Sequence, residues 1–431
     1  MLFKDKKVKL LVGYDLSDKF SQISYFYSDK DEPVTVSTVA GEEQYNIPTV
    51  LCKRREVNQW FYGKEALKQA KEKEGILVEE LVGFAKKGED VLIDGEHFDP
   101  VQLLSLFMRR SLSLLTMWTN TDKIDGLMIT VDELDYTMIE VLNKITKLLG
   151  FEENQVFFQS HMESFYQFTM RQPKELWRHQ VVVFDYSNEY LKSYRMEINR
   201  RTTPLVVLID QQDFEIMMIE EIPPEEPNRS KRSAILDDRF KKIVSGLFEN
   251  RMVQTVFLIG QGFNGEWCKE SLKYLCKNRR VFQGNNLYSK GACYGTQEKL
   301  NENKKSSEYV YLGVDKVKAN LGMLAVANGT EYYHAILDAG ENWYEAKKEW
   351  DIILEQGNTL SFIITPLTGM KRQEIVMTLH DLPIRPIRTT RLRIFVEFVE
   401  EKTIKFRVKD LGFGEFFKSS ELEWIEEMRL S

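Results

Sequence analysis

The stretch from Val8 to Phe26, VKLLVGYDLSDKFSQISYF, limits the possible folds more than any other part of the chain. It reads as an apolar strand, a tight turn at Gly13-Tyr14-Asp15, and a second alternating strand from about Gln22. An acidic residue at the lip of a buried strand, followed by a polar turn and an outgoing strand, suits metal or phosphate chemistry. The plainer reading is an ordinary hairpin carrying a surface aspartate. The same shape returns in HQVVVFDYSNEYLKSYRMEI, where an apolar strand runs into Asp185 and out again through Leu191–Ile198. Between the two, Asp99-Pro100 caps a helix with apolar residues at helical spacing, Ile124–Thr130 is a buried strand, and Asp135–Leu149 is a second helix closed by Gly150. Such alternation predicts an α/β architecture.

Composition sets the outer limits. At 431 residues the chain is long enough for about three domains. A net charge of −7 offers no basic face for nucleic acid, and no apolar run approaches the length of a membrane span. The amino-terminal apolar run leads straight into turn residues without a cleavage pattern, so it reads as the first strand and not as a signal peptide. Cys52, Cys268, Cys276 and Cys293 are scattered without metal-binding spacing, which fits a reducing, cytoplasmic setting. His161 has no nucleophile nearby in sequence and reads as a packed or surface histidine.

Taken in order, these segments resemble the actin/DnaK ATPase superfamily. The first hairpin is similar to its first phosphate loop, Gly-x-Asp-x-Gly-Thr-Thr: Gly13 and Asp15 match, whereas Ser17, Asp18 and Lys19 replace the last three. Pro48, Thr49, Val50, Gly63 and Ala66 resemble the following DnaK segment, Pro-Ser/Thr-x-Val and then Val-Gly-x-x-Ala-Lys. The Asp185 hairpin resembles the second phosphate loop, and Gly260 and Gly262 the adenosine motif. Beyond a polar linker at Lys299–Ser307, Leu312, Val314, Leu321 and Gly322 resemble the DnaK interdomain linker and first β-domain strands. Pro383, Pro386, Ile394, Val396, Phe398, Val408, Asp410 and Gly414 resemble that domain's later strands, with a hairpin turn at Glu400-Glu401-Lys402.

The resemblance implies a two-lobed actin-like ATPase fold with a reduced second-lobe subdomain, followed by a small antiparallel β-sandwich. The lobes would be residues 1–170 and 171–300, and the sandwich residues 301–431, without a helical lid. It assigns nucleotide to Gly13, Asp15, Asp185, Gly260 and Gly262, Mg2+ to Asp15 and Asp185, and peptide to Leu321, Gly322, Met323 and Leu324. The catalytic signatures depart from the family. With Val78–Gly83 taken as a strand, Glu79 and Glu80 stand for its lysine and arginine, Ser160 for a metal-linked glutamate, and the second loop keeps no glycine while adding Glu189. Another register would give the lysine's place to Lys86 or Lys87. The interval around Pro223, Pro224 and Pro227 has room for a strand, Leu205–Asp210, a short second segment and a loop, so the adenine clamp is truncated; a helix follows over Asp237–Glu249.

These departures predict a pseudo-ATPase that requires no cofactor and binds a polypeptide or protein client through its β-domain. The alternative is a divergent ATPase that binds ATP and Mg2+ and hydrolyses slowly. A β-domain that only packs on its own lobes is also open. Neither nucleic acid nor membrane is an expected partner.

Overall fold

The computed structural model describes residues 8–39, 41–119, 121, 123–152, 154–187, 189–218, 225–284, 286–301, 308–327, 329–367, 371–400 and 402–430. Pro223, Pro224, Glu401 and most of the polar linker expected at Lys299–Ser307 lie outside these residues. The chain is a mixed α/β protein with a strand-rich carboxyl-terminal region, and it forms two compact units. One unit holds residues 1–198 and 209–306, the other residues 199–208 and 307–431. Among the described residues no helix is long and apolar enough to cross a membrane.

The first unit contains two sheets built on one plan. Strand β1 (Leu10–Asp15) pairs antiparallel with β2 (Phe20–Tyr27), which pairs with β3 (Val34–Thr35). Helix α1 (Pro100–Leu112) follows, then β4 (Gly126–Val131), α2 (Tyr136–Leu149), β5 (Val156–Ser160) and α3 (His161–Met170). Strands β1, β4 and β5 are parallel, so the sheet runs β5–β4–β1–β2–β3.

The chain then repeats itself. Strands β6 (Gln180–Asp185), β7 (Tyr190–Asn199) and β8 (Leu205–Met218) precede α4 (Asn228–Phe248), β9 (Val253–Ile259), α5 (Lys269–Leu275), β10 (Arg280–Gln283) and α6 (Leu287–Lys299). The second order is β10–β9–β6–β7–β8, with β6, β9 and β10 parallel. Asp15 and Asp185 are therefore the last residues of matching strands.

Local chemistry explains the boundaries. Asp99 accepts from the amides of Val101 (2.7 Å) and Gln102 (3.3 Å), with Pro100 pre-set at the first helical position. Asp135 accepts from the Met138 amide at 2.8 Å, and Gly150 closes α2 in the left-handed region at φ 81°. The short α5 has no cap of its own; buried Asp237 on α4 accepts from the Glu270 and Ser271 amides at 2.7 and 2.8 Å. Helices α3 and α6 touch at their backbones, since a Cβ on Gly291 would sit 2.0 Å from the Ser164 carbonyl oxygen.

Three expectations change here. The strand expected over Val78–Gly83 ends at Val78, and Leu81–Lys87 is a helix, because Glu80 turns the chain in the left-handed region. Strand β8 reaches Met218 instead of Asp210, and α4 begins at Asn228, well before Asp237.

In the second unit, Leu205–Val207 pair in parallel with β11 (Tyr309–Tyr311). One sheet orders β12 (Ala319–Ala327), β13 (Thr330–Leu337), β15 (Thr359–Pro366) and β16 (Gln373–Thr378) as β13–β12–β15–β16. The other orders β14 (Lys347–Leu354), β17 (Thr390–Glu400), β18 (Thr403–Gly412) and β19 (Glu423–Arg429) as β14–β17–β18–β19. Alternate residues of β17 and β18 face inward, and Phe406 meets Phe362 of the opposite sheet with ring centroids 4.4 Å apart. The outer face of the second sheet carries cross-strand pairs such as Arg393–Asp351 and Lys405–Glu427.

Candidate functional site

The ends of β1 and β6 bring Asp15 and Asp185 to one small cavity, also lined by His161, Ser187, Gly260 and Tyr288. Two helices deliver the rest. His161 is the first residue of α3, placed by Ser160, whose hydroxyl accepts from the Glu163 amide at 3.2 Å. Tyr288 is the second residue of α6. The first turns of two matching helices thus meet between two matching carboxylates.

Their side chains close the space. His161 Nε2 lies 2.8 Å from Asp15 Oδ1. The imidazole stacks on the Tyr288 ring, with centroids 3.9 Å apart and planes within 6°. The Tyr288 hydroxyl donates to Asp185 Oδ2 at 2.7 Å, and Asp185 Oδ1 accepts from the Ser187 amide at 3.0 Å and from its hydroxyl. The result is a continuous bridge, Asp15–His161–Tyr288–Asp185. Behind it Asp132, just after β4, holds Lys192 Nζ at 2.6 Å and accepts from the Tyr194 hydroxyl at 3.2 Å. His161 Nδ1 is 3.9 Å from Asp132 Oδ1.

Burial opposes charge on His161, but Asp15, its hydrogen bond, Asp132 and Asp185 outweigh burial and raise the imidazole pKa. Burial pushes the Asp185 carboxyl up, with Ser187 and His161 acting against it. Burial also acts on Asp132, yet His161 and Lys192 hold its carboxyl below the ordinary range. Burial and neighbouring carboxylates keep the Tyr288 and Tyr194 hydroxyls neutral donors. The cluster thus sets the His161 imidazole and the Lys192 ammonium among three aspartates, Asp15, Asp132 and Asp185.

About 40 Å3 remains in the cavity, against the roughly 300 Å3 at which small-molecule pockets begin. Among the described residues no group of three or more His, Cys, Asp or Glu side chains is placed to hold a metal ion.

The glycines assigned to nucleotide stand at close contacts within the protein. A Cβ on Gly13 would lie 2.1 Å from the Ser289 carbonyl oxygen of α6, and one on Gly262 would lie 2.3 Å from the Tyr186 ring. Gly260 lines the cavity, but its φ of 98° and the 2.4 Å from its virtual Cβ to the Tyr186 backbone show a turn folded onto the next strand end. Glu79 and Glu80 are exposed ahead of their helix, and Lys86 pairs with Asp135 at 2.8 Å. Glu189, also exposed, lines a neighbouring cavity with Asp18, Lys86 and Lys192.

Of the residues assigned to peptide, Leu321, Gly322 and Met323 are buried, and Leu324 alone is exposed. Gly322 is covered by Tyr333, whose ring would be 2.2 Å from an added Cβ. Leu324 and the neighbouring Tyr333 are exposed, while Leu321 and Met323 belong to the core.

His161, Tyr288, Asp132, Lys192 and Tyr194 are the site residues the sequence reading missed. The available signal was positional: His161 and Tyr288 each open the helix after the last parallel strand of a repeat.

Residues 32–314 match the family of unknown function (DUF5716), C-terminal part, and residues 316–430 match a domain of unknown function (DUF8552). The first match covers more than half of the chain, so the chain belongs to the DUF5716 family. No curated protein sequence matches it.

Proposed function

We propose that the chain is a non-catalytic protein of actin/DnaK-like architecture, a pseudo-ATPase whose carboxyl-terminal β-sandwich binds a polypeptide segment. The observation that carries the reading is the side-chain bridge between Asp15 and Asp185. Twin sheets of equal strand order place two carboxylates face to face, where a nucleotide enzyme of this plan would hold metal and phosphate. Here an imidazolium takes the cation's place and a tyrosine ring fills the space beside it. A scaffold stabilised by its own residues has no need of nucleotide to close.

Binding would fall to the second unit. Strands β13 and β16 are edges of their sheet, with unpaired N–H and C=O groups that can accept an added strand. Beside the β13 edge lie exposed Leu324, Val326, Tyr332 and Tyr333.

Titration calorimetry of the full chain with ATP and Mg2+ tests the first half, with no binding heat and no turnover expected. Turnover that rises with Mg2+ and disappears in Asp15→Ala would overturn it. An unbiased peptide array probed with the full chain tests the second half. Sequence-specific signals should weaken in Leu324→Lys; background-level signal everywhere would leave the β-sandwich as packing only.

A further inference from the structure

Another cavity, of about 600 Å3, lies outside the carboxyl ends of β9 and β10 and shares only Ile259 with the bridged site. We propose that it is a binding site for a small planar aromatic molecule bearing a single negative charge.

Three properties of the lining select that class. Its apolar wall comprises Phe168, Leu176, Phe257, Ile259, Phe282 and Leu287. Phe257 and Phe282 stack with centroids 5.4 Å apart at 22°, and Phe168 meets Phe257 edge-on at 5.7 Å. Phe282 remains 41% exposed, an aromatic face offered at the mouth of a hollow.

The polar groups are few and stand at the rim. Gln172 and Gln283 each donate one amide hydrogen, to the carbonyls of Phe168 and Phe263 at 3.3 and 3.1 Å, which leaves each a second N–H and the side-chain oxygen. Asn286 and Lys290 come from the start of α6, which has no side-chain cap.

Charge fixes the sign and the count. Lys290 is the only cationic side chain of the lining, and no carboxylate pairs with it among the described residues. Glu43, exposed on the rim, is the only anionic one. One ligand anion gains from Lys290, while a second would meet Glu43. The volume falls within the range of small-molecule pockets, and the crevice beyond parallel strand ends is where α/β sheets bind ligands.

The test uses 8-anilinonaphthalene-1-sulfonate, an aromatic monoanion, titrated into the native full chain with fluorescence and calorimetry. The expected result is one saturable site per chain, weakened about tenfold by Lys290→Glu and more strongly by Phe282→Ala. Uncharged N-phenyl-1-naphthylamine should bind about tenfold more weakly than the sulfonate and ignore Lys290→Glu. Near-ultraviolet circular dichroism establishes that each variant is folded. Non-saturating binding, more than one site, or a sulfonate affinity unchanged in folded Lys290→Glu would overturn the assignment. None of these outcomes bears on the nucleotide question, which the ATP titration answers separately.

Discussion

If His161 supplies the cation between the two strand ends, then removing it should create a need for another. In His161→Ala, Asp15 loses a partner at 2.8 Å. At an effective dielectric near 20 that attraction is about 6 kcal/mol before desolvation is counted. Breaking one side of a buried pair typically costs about 3–5 kcal/mol, which is the expected loss here. Asp132 and Asp185 lose the same neighbour, and Lys192 remains as the ammonium of the cluster beside its hydroxyl donors.

Two readouts separate this account from simple cavity formation. The first is pH. The folded pKa of His161 is raised, so its stabilisation is fully present below about pH 6.5, the unfolded value, and is lost as pH rises through the folded pKa. Asp185, whose carboxyl is also raised, contributes with the same sign from just above the ordinary carboxylate range. Urea midpoints of the wild-type chain should therefore fall from pH 6 to pH 9, and the fall should flatten in His161→Ala. The second is divalent cation. Mg2+ at ten times its dissociation constant would restore about 1.4 kcal/mol to the variant and nothing to the wild type. Equal pH slopes in the two proteins, or an equal Mg2+ gain, would refute the reasoning.

In the second unit, Arg385 meets buried Asp410 through two hydrogen bonds of 2.7 and 2.6 Å, and Arg385→Met should cost about 3–5 kcal/mol in denaturation experiments. Burial works against the Asp410 charge, but Arg385, Ser420 and Gly412 hold the carboxyl well below its usual range. Its stabilisation is thus present above about pH 4 and lost on acidification, and adding Asp410→Leu should recover much of the loss and remove that acid sensitivity. In the first unit, Gly13→Ala should destabilise by about 1–3 kcal/mol in the absence of any ligand, measured by thermal unfolding, because its methyl group would strike the backbone of α6.

How much of this was legible in the sequence depends on which interactions were local. The capped helices at Asp99 and Asp135, the Gly150 stop, and the two strand-to-aspartate hairpins depend on residues a few positions apart, and periodicity and turn chemistry reveal them. The boundary at Glu80 was missed because a non-glycine residue in the left-handed region gives no compositional sign. The site was half legible. Asp15 and Asp185 could be paired because each ends a strand of the same pattern, but their bridge joins residues separated by 146 and 103 positions.

The glycines are ambiguous for a related reason. A glycine before a strand-end aspartate permits close approach by anything, and sequence does not say whether the visitor is a phosphate or a helix. At Gly13 it is α6, bearing Tyr288 one residue before the carbonyl that occupies the space. The close approach that another chain could use for phosphate is made here by the helix that carries Tyr288. Opening this site for a nucleotide would therefore require displacing Tyr288 and His161, and their anchors at Asp185 and Asp15 are the two carboxylates a metal would need.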